Sequence, residues 1–402
     1  MRRYVSPTMR VLHVVTAYPR YPGDPIVPWL TELIRHLRAR GVDAEIFTSA
    51  YMGGGNREYD GVPVHRFRYM PSRWERLTHE ENAADRAGRS PFFALVSVAY
   101  IAAGVAAIGR LVRRTRYDVV HVHWPVPHAA MGIAAQRSGG MPMVTTYYGA
   151  ELRLASRSRT LLGLLRAGAR RSARNVAISR HTADDLARLT AVRADVIPYS
   201  IAFTPHARST TDAARPFTAL FVGRLVERKG VPVLLDAWSR AALPNARLEI
   251  VGDGPDRSRL EERATTLGID RSVTFRGRVS DRELAAAYST ADLFVLPAVL
   301  DAKGDTEGLG VVLLEAMASH VPVVASAAGG ITDVVVDGES GLLVPPADPD
   351  ALARALARLH ADPELRARLA ANGARRVRDE FSWDAIADRW AQVYRDAVAG
   401  KR

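Results

Sequence analysis

The chain has no cysteine, which excludes disulfide staples and thiolate metal sites and fits a reducing cytoplasmic compartment. It is almost without lysine: of 55 basic residues only Lys229, Lys303 and Lys401 are lysine. A pyridoxal-dependent enzyme would need a buried Schiff-base lysine, and none of the three presents itself for that role. Long apolar runs are scarce. Only Phe92 to Gly109, 18 residues without a charge, reaches the length of a membrane-spanning helix. Six alanines and two glycines keep its hydrophobicity modest, and it runs straight into RLVRRTRYDVVHVHW, so it reads as a buried helix leading into a strand. A recognisable secretory leader is missing: the first apolar stretch is short, contains His13, and ends in Tyr and Pro. VLHVV reads instead as a first buried strand, with residues 1–8 a loose leader and Met9 an alternative start.

The 402 residues carry a net charge of +12, unevenly spread. Residues 1–200 hold 29 arginines against 15 acids, whereas residues 201–402 hold 26 basic against 28 acidic residues. An anionic partner of the first half is implied: nucleic acid, an anionic membrane surface, or a phosphorylated or acidic acceptor. No nucleic-acid recognition motif accompanies the charge, which argues against the first.

Strand-like runs alternate with helical patterns throughout, as parallel α/β sheets require. In the first half these runs are RVLHVV, DAEIFTS, VPVHRFR, DVVHVHW, MPMVTTYY, NVAISR and ADVIPY. The second half restarts with FTALFVG and continues through ARLEIVG, VTFRGRV, DLFVLPA and PVVASA. The polar, proline-bounded stretch around Ile201 to Pro216 separates the two. We expect domains at 1–203 and 216–382, a linker at 204–215, and a closing helix at 383–402. Two doubly wound domains bind ligands at the carboxyl ends of their strands, which places the expected active cleft between them.

The stretch EGLGVVLLE sets Glu307 and Glu315 at the ends of an apolar run with Gly308 and Gly310 between them. The glycines suit a loop that lets backbone approach a ligand, with a helix beginning near Leu309 or Gly310. Free N–H groups in that first turn would face a phosphate. Glu315, two turns on, could accept hydrogen bonds from ligand hydroxyls. In FVGRLVERKG a strand ends at Gly223, and Arg224 and Lys229 follow on the turn. Two cations there could neutralise a diphosphate, although ERK taken alone is ordinary surface text.

These segments, with VGDGPDRSRLEERATTLGIDRSVTFRGRVSDRELAAAYSTADLFVLPA between them, resemble the retaining glycosyltransferases of family 4, whose signature is E-x7-E. The likeness covers nearly the whole chain. YPRYPGDPIVPWLTELIRHLRARG, YDGVPVHRFRYMPSRWERL and YDVVHVHW resemble the acceptor domain of one bacterial subgroup. The resemblance implies the α/β GT-B fold: two Rossmann-like domains facing across a cleft, with a C-terminal helix crossing back to the first. It also implies a nucleotide-sugar donor, a hydroxyl acceptor (polysaccharide, glycolipid or small natural product), no cofactor and no metal. On this resemblance Arg224 and Lys229 hold the diphosphate and Glu315 the ribose. Glu307 with the backbone of Gly308, Leu309 and Gly310 holds the sugar, and the backbone near Arg278 and Val279 meets the base. Gly23, His123, Tyr148 and Glu151 line the acceptor or sugar side. Tyr148 stands where many family members carry histidine, and Gly23-Asp24 where many have paired glycines.

His121 and His123 have metal-like spacing, but alternate strand residues share a face without a metal. Asp348 to Asp350 imitates an Asp-x-Asp metal motif and reads better as a helix start. Gly252-Asp253-Gly254 is too little for a dinucleotide site. Seven arginines lie between Arg153 and Arg174, with Arg166, Arg170 and Arg174 as an i, i+4 stripe. Such a basic amphipathic helix suits peripheral contact with an anionic inner-membrane face or, equally, a solvated surface. Two alternatives to transfer remain at this point: a nucleotide-sugar epimerase of the same fold, and a non-catalytic sugar-nucleotide-binding relative.

Overall fold

A computed structural model describes residues 9–21, 23–24, 26–78, 91–202 and 215–400. The expected leader at 1–8 and residues 204–214 of the expected linker lie outside them. The chain forms two compact units, Met1–Tyr199 with Trp383–Arg402, and Ser200–Ser382.

The first unit is built on eight strands: β1 (Met9–Val14), β2 (Val42–Ser49), β3 (Arg57–Tyr59), β4 (Val62–Phe67), β5 (Val119–His123), β6 (Met143–Tyr147), β7 (Arg174–Ala177) and β8 (Asp195–Val196). Their order is β3-β4-β2-β1-β5-β6-β7-β8. Neighbours pair in parallel except β3 and β4, so the all-parallel expectation fails at one edge. The cause is local: Asp60 and Gly61, at φ 51° and 70°, make a two-residue turn of the kind that joins antiparallel strands. Side chains alternate across the sheet and are buried on both faces. Val11 enters one apolar cluster with Leu30, Ile34 and Leu37, while Leu12 and Val14 enter another with Tyr100, Ile108 and Met131.

The closing helix Trp383–Val398 belongs to this first unit. It buries Ile386, Trp390, Val393 and Tyr394 against the cluster around Val11, each large apolar side chain contributing about 1.5–3 kcal/mol. Arg40 fixes it by donating to Asp388 at 2.6 Å. The apolar run at 92–109 lies in the helix Pro91–Arg114. That helix is less buried than expected. Val96, Tyr100, Ile108 and Val112 face the core, but Leu95 and Val98 are each 63% exposed. By length and composition its Leu95–Arg114 portion could cross a membrane.

Two further expectations are corrected or resolved by local geometry. The arginine-rich helix spans Arg159–Arg171, so Arg174 cannot extend its stripe; it opens β7 and pairs with Asp195 at 2.7 Å. Arg159, Arg166, Arg170 and Arg171 remain on the exposed side. Asp348 caps the helix Pro349–Ala361, accepting from the Ala351 N–H at 2.8 Å, which accounts for that acidic triplet without a metal.

The second unit holds β9 (Phe217–Val222), β10 (Ala246–Val251), β11 (Val273–Gly277), β12 (Leu293–Leu296), β13 (Val323–Ser326) and β14 (Leu342–Val344), in the order β11-β10-β9-β12-β13-β14. From β9 the chain winds outward through β10 and β11, then crosses back to β12 and continues the other way. The winding therefore reverses between β9 and β12, and likewise between β1 and β5 in the first unit. Carboxyl ends of strands at such reversals are where open α/β sheets bind ligands.

Candidate active site

The second-unit candidates converge on the reversal between β9 and β12. The turn after β9 carries Arg224 and, in a short 3-10 segment, Lys229; the loop after β12 carries Glu307. Lys229 and Glu307 are both buried, and Lys229 Nζ lies 2.6 Å from Glu307 Oε2. The ERK text is therefore not surface text at its lysine. Burial alone would push the Glu307 carboxyl upward, but Lys229 and Arg228 outweigh it and hold the group below the usual carboxylate range. Arg224 is exposed, and its guanidinium makes no hydrogen bond or ion pair among the described residues. The helix Val311–Ala318 starts just past Gly310, and the N–H groups of Gly308, Leu309 and Gly310 donate to no described backbone group. Leu309 itself is buried, anchoring the loop so that these donors keep their place.

Glu315 is half-buried, and the buried Tyr288 hydroxyl donates to its Oε2 at 2.8 Å. Burial raises its carboxyl despite that hydrogen bond and the nearby Lys229 charge. Tyr288 lies in AAAYSTAD, where alanine-rich helical text gives no hint that its hydroxyl is needed. The Gly252–Gly254 pair also finds its reason here. A Cβ at Gly252 would lie 2.0 Å from the Gly223 carbonyl, and one at Gly254 2.2 Å from that of Leu225. The β10 turn thus presses directly on the turn that presents Arg224, with Leu225 N–H donating to Asp253 O at 3.0 Å. Val279 follows β11 in an irregular, partly exposed segment.

In the first unit the candidates gather at the carboxyl ends of β5 and β6. His123 ends β5 and Tyr148 follows β6; the Tyr148 hydroxyl and His123 Nδ1 are 2.7 Å apart. Trp124 stacks on Tyr148 with ring centres 4.4 Å apart, and Trp29 meets Tyr148 and Tyr199 at 5.3 and 5.1 Å. Of this half-buried aromatic wall only Tyr148 is legible in the sequence, because its members lie 24 to 170 residues apart, on separate loops and a helix. Glu151 accepts from the Tyr148 N–H at 2.6 Å through Oε1, while its Oε2 is buried with no hydrogen-bond partner among the described residues. Burial pushes its carboxyl up to about 7. Gly23 sits apart from this cluster on an exposed turn, where the adjacent Asp24 accepts from Arg20.

Among the described residues, the one group of three metal-capable side chains is His13, His121 and His123, with ring nitrogens within 4.8 Å of one another. Protein partners already occupy most of those nitrogens. His121 contacts Tyr394 at 2.8 Å and Thr146 at 2.7 Å, and His123 contacts His13 at 3.1 Å as well as Tyr148. All three are fully buried, and burial drives each downward, His13 to about 3. They form a neutral hydrogen-bonded core element that carries Tyr148 on its outer end.

Two Rossmann-like units, each with its candidate residues at a winding reversal, make up the GT-B architecture. Residues 28–202 match the family model for glycosyltransferase family 4, and residues 205–376 that for glycosyl transferases group 1. A GDP-mannose-dependent alpha-(1-6)-phosphatidylinositol monomannoside mannosyltransferase of Mycolicibacterium smegmatis is 29% identical over 85% of this chain and 92% of its own. The phosphatidyl-myo-inositol mannosyltransferase of Mycobacterium leprae is 34% identical over 69% of this chain and 73% of its own. Among solved structures, sucrose-phosphate synthase from Thermosynechococcus elongatus superposes with a TM-score of 0.75 at 25% identity, covering 98% of this chain and 100% of that one. The chain belongs to the family 4 glycosyltransferases. It is an enzyme of glycosyl transfer from a nucleotide sugar.

Proposed function

We propose that the second unit holds the donor and the first the acceptor, and that the transferred sugar keeps its anomeric configuration without help from a metal or cofactor. One observation carries the donor assignment: the buried Lys229–Glu307 pair at the β9/β12 reversal, flanked by the unengaged guanidinium of Arg224 and the open N–H groups at 308–310. In this reading Arg224 and Lys229 take the diphosphate and stabilise its charge as the glycosidic bond breaks, Arg by paired hydrogen bonds and Lys as a point charge. The N–H groups of Gly308, Leu309 and Gly310 add dipoles aimed at the same charge. Glu307 receives sugar hydroxyls, Glu315 the ribose, and the backbone at Val279 the base. His123 and Glu151 hold Tyr148, which with Trp29 and Trp124 offers an apolar face for a sugar or polyol ring; Gly23 belongs to the loop at the same end of the sheet.

For the substrates, GDP-mannose and an inositol-bearing acceptor with an anionic phosphate suit the relatives' chemistry and the excess of arginine over acids in residues 1–200. The enzyme would act in the cytoplasm, with the exposed Arg159, Arg166, Arg170 and Arg171 available for peripheral contact with anionic lipid. The test is transfer from GDP-mannose, with UDP-glucose as control, to inositol with and without a phosphate group. Product that keeps the donor's α configuration, with an equatorial anomeric proton, formed on the phosphorylated acceptor and suppressed by salt, is expected. Equal transfer to both acceptors would remove the anionic-acceptor reading, and an inverted product would remove retention.

A further inference from the structure

Arg228 has no role in the donor reading, yet it shares the atom at its centre. Its Nη1 lies 3.0 Å from Glu307 Oε2, the same oxygen that Lys229 Nζ touches at 2.6 Å, and its Nε lies 3.6 Å from Asp305. The Glu307 side chain is 12% exposed and Lys229 9%, whereas Arg228 is 28% exposed. Arg228 is also fixed through its backbone, its carbonyl accepting from the Val299 N–H at 2.9 Å on the loop after β12.

One carboxylate oxygen thus holds two cations. Lys229 is tied to Glu307. To meet a diphosphate it must loosen that bond, and a buried carboxylate stripped of its cation is costly. We infer that Arg228 is a positioning residue that keeps Glu307 paired when Lys229 turns to the donor diphosphate, so that the sugar-side carboxylate and the phosphate-side lysine can act at once. The inference rests on the donor reading above, and goes beyond it by assigning a residue that acts through Glu307 rather than on the ligand.

In Arg228→Gln, Lys229 is the sole counter-ion of Glu307 and gives it up less readily, so nucleoside diphosphate binds roughly tenfold more weakly. In Glu307→Gln, Lys229 is released from its partner and the negative charge beside the phosphates is gone. The diphosphate alone then binds several-fold more tightly, although sugar transfer is lost. In the double variant Arg228→Gln/Glu307→Gln, position 228 has no Glu307 charge left to pair, and the loss of Arg228 changes affinity by less than about twofold. Arg228→Lys keeps a cation at the position and restores most of the affinity.

The experiment is titration calorimetry of GDP and UDP against the full-length wild type, these four variants and Lys229→Ala, each checked for native circular dichroism. If the wild type binds neither nucleotide, or Lys229→Ala binds as well as wild type, the donor reading itself fails. If those two controls behave, a tenfold loss in Arg228→Gln that vanishes in the Glu307→Gln background supports the inference. A loss of the same size in both backgrounds means that Arg228 touches the phosphates directly, and overturns it. So does a Glu307→Gln protein that binds diphosphate no more tightly than wild type.

Discussion

The buried carboxyl of Glu151 should make the first unit lose stability as pH rises through neutrality. Its Oε1 is held by the Tyr148 N–H, but its Oε2 has no partner among the described residues, and burial raises the group from its ordinary 4.5 to about 7. The unfolded chain releases this proton near 4.5 and the folded chain only near 7, so over that window the unfolded state binds fewer protons. Stability from this group is therefore fullest in acid and declines with pH until the folded protein has also ionised. Between pH 5 and pH 8 the loss amounts to about 2–3 kcal/mol. Glu151→Gln removes the titration while keeping an acceptor for Tyr148. The amide brings a fixed cost of its own, about 1–3 kcal/mol for N–H groups left without partners. That cost does not depend on pH, so the difference between variant and wild type isolates the carboxyl. Urea unfolding followed by tryptophan fluorescence suits the purpose: Trp29, Trp74, Trp124, Trp383 and Trp390 lie in the first unit and only Trp238 in the second. Relative to wild type, the variant should gain about 2–3 kcal/mol from pH 5 to pH 8. A difference constant to within about 0.5 kcal/mol across that range would refute the reasoning.

Three other substitutions test separate parts of the structure. Arg224→Ala removes an exposed, unengaged side chain, so the melting temperature should hold while the transfer rate falls roughly 100- to 1,000-fold; an equal fall in both would mean that Arg224 is structural. Tyr288→Phe deletes the donor to Glu315 and should cost about 1–3 kcal/mol in chemical denaturation together with weaker nucleotide binding; unchanged binding would detach Glu315 from the ribose. Gly230→Ala places a Cβ 1.8 Å from the Pro297 carbonyl at φ 67°, whereas Gly268→Ala has the same φ and open space. The first should therefore lower the melting temperature far more than the second, whose cost is only the roughly 1–2 kcal/mol of left-handed backbone; equal losses would mean that the loops after β9 and β12 separate easily.

Much of the architecture could be read from the sequence, because buried parallel strands announce themselves as short β-branched runs such as VLHVV, VVHVH and LFVL. Misreadings arose where a single residue or a distant partner decides. The antiparallel β3–β4 edge follows from Asp60-Gly61, two residues inside otherwise unremarkable text. The helix Pro91–Arg114 looks uniformly apolar, so sequence alone could not say that Leu95 and Val98 would be left outside. The i, i+4 spacing of arginines runs on through Arg174 and carries no sign of the helix end at Arg171. In the candidate site, Lys229 and Glu307 were each legible from their motifs, but their ion pair spans 78 residues and depends on β9 and β12 being neighbours. Tyr288, Arg228, Trp29 and Trp124 are invisible in the sequence for the same reason: each acquires its role from a partner on another element.

The donor site is tested most directly by titrating GDP, UDP, ADP and dTDP into the wild type and Glu315→Ala by calorimetry. One diphosphate should bind the wild type, and Glu315→Ala should bind it at least tenfold more weakly, the loss of charged hydrogen bonds to ribose hydroxyls being about 1.5–3 kcal/mol. If no diphosphate binds the wild type, or if Glu315→Ala binds equally well, the donor does not sit at the β9/β12 reversal.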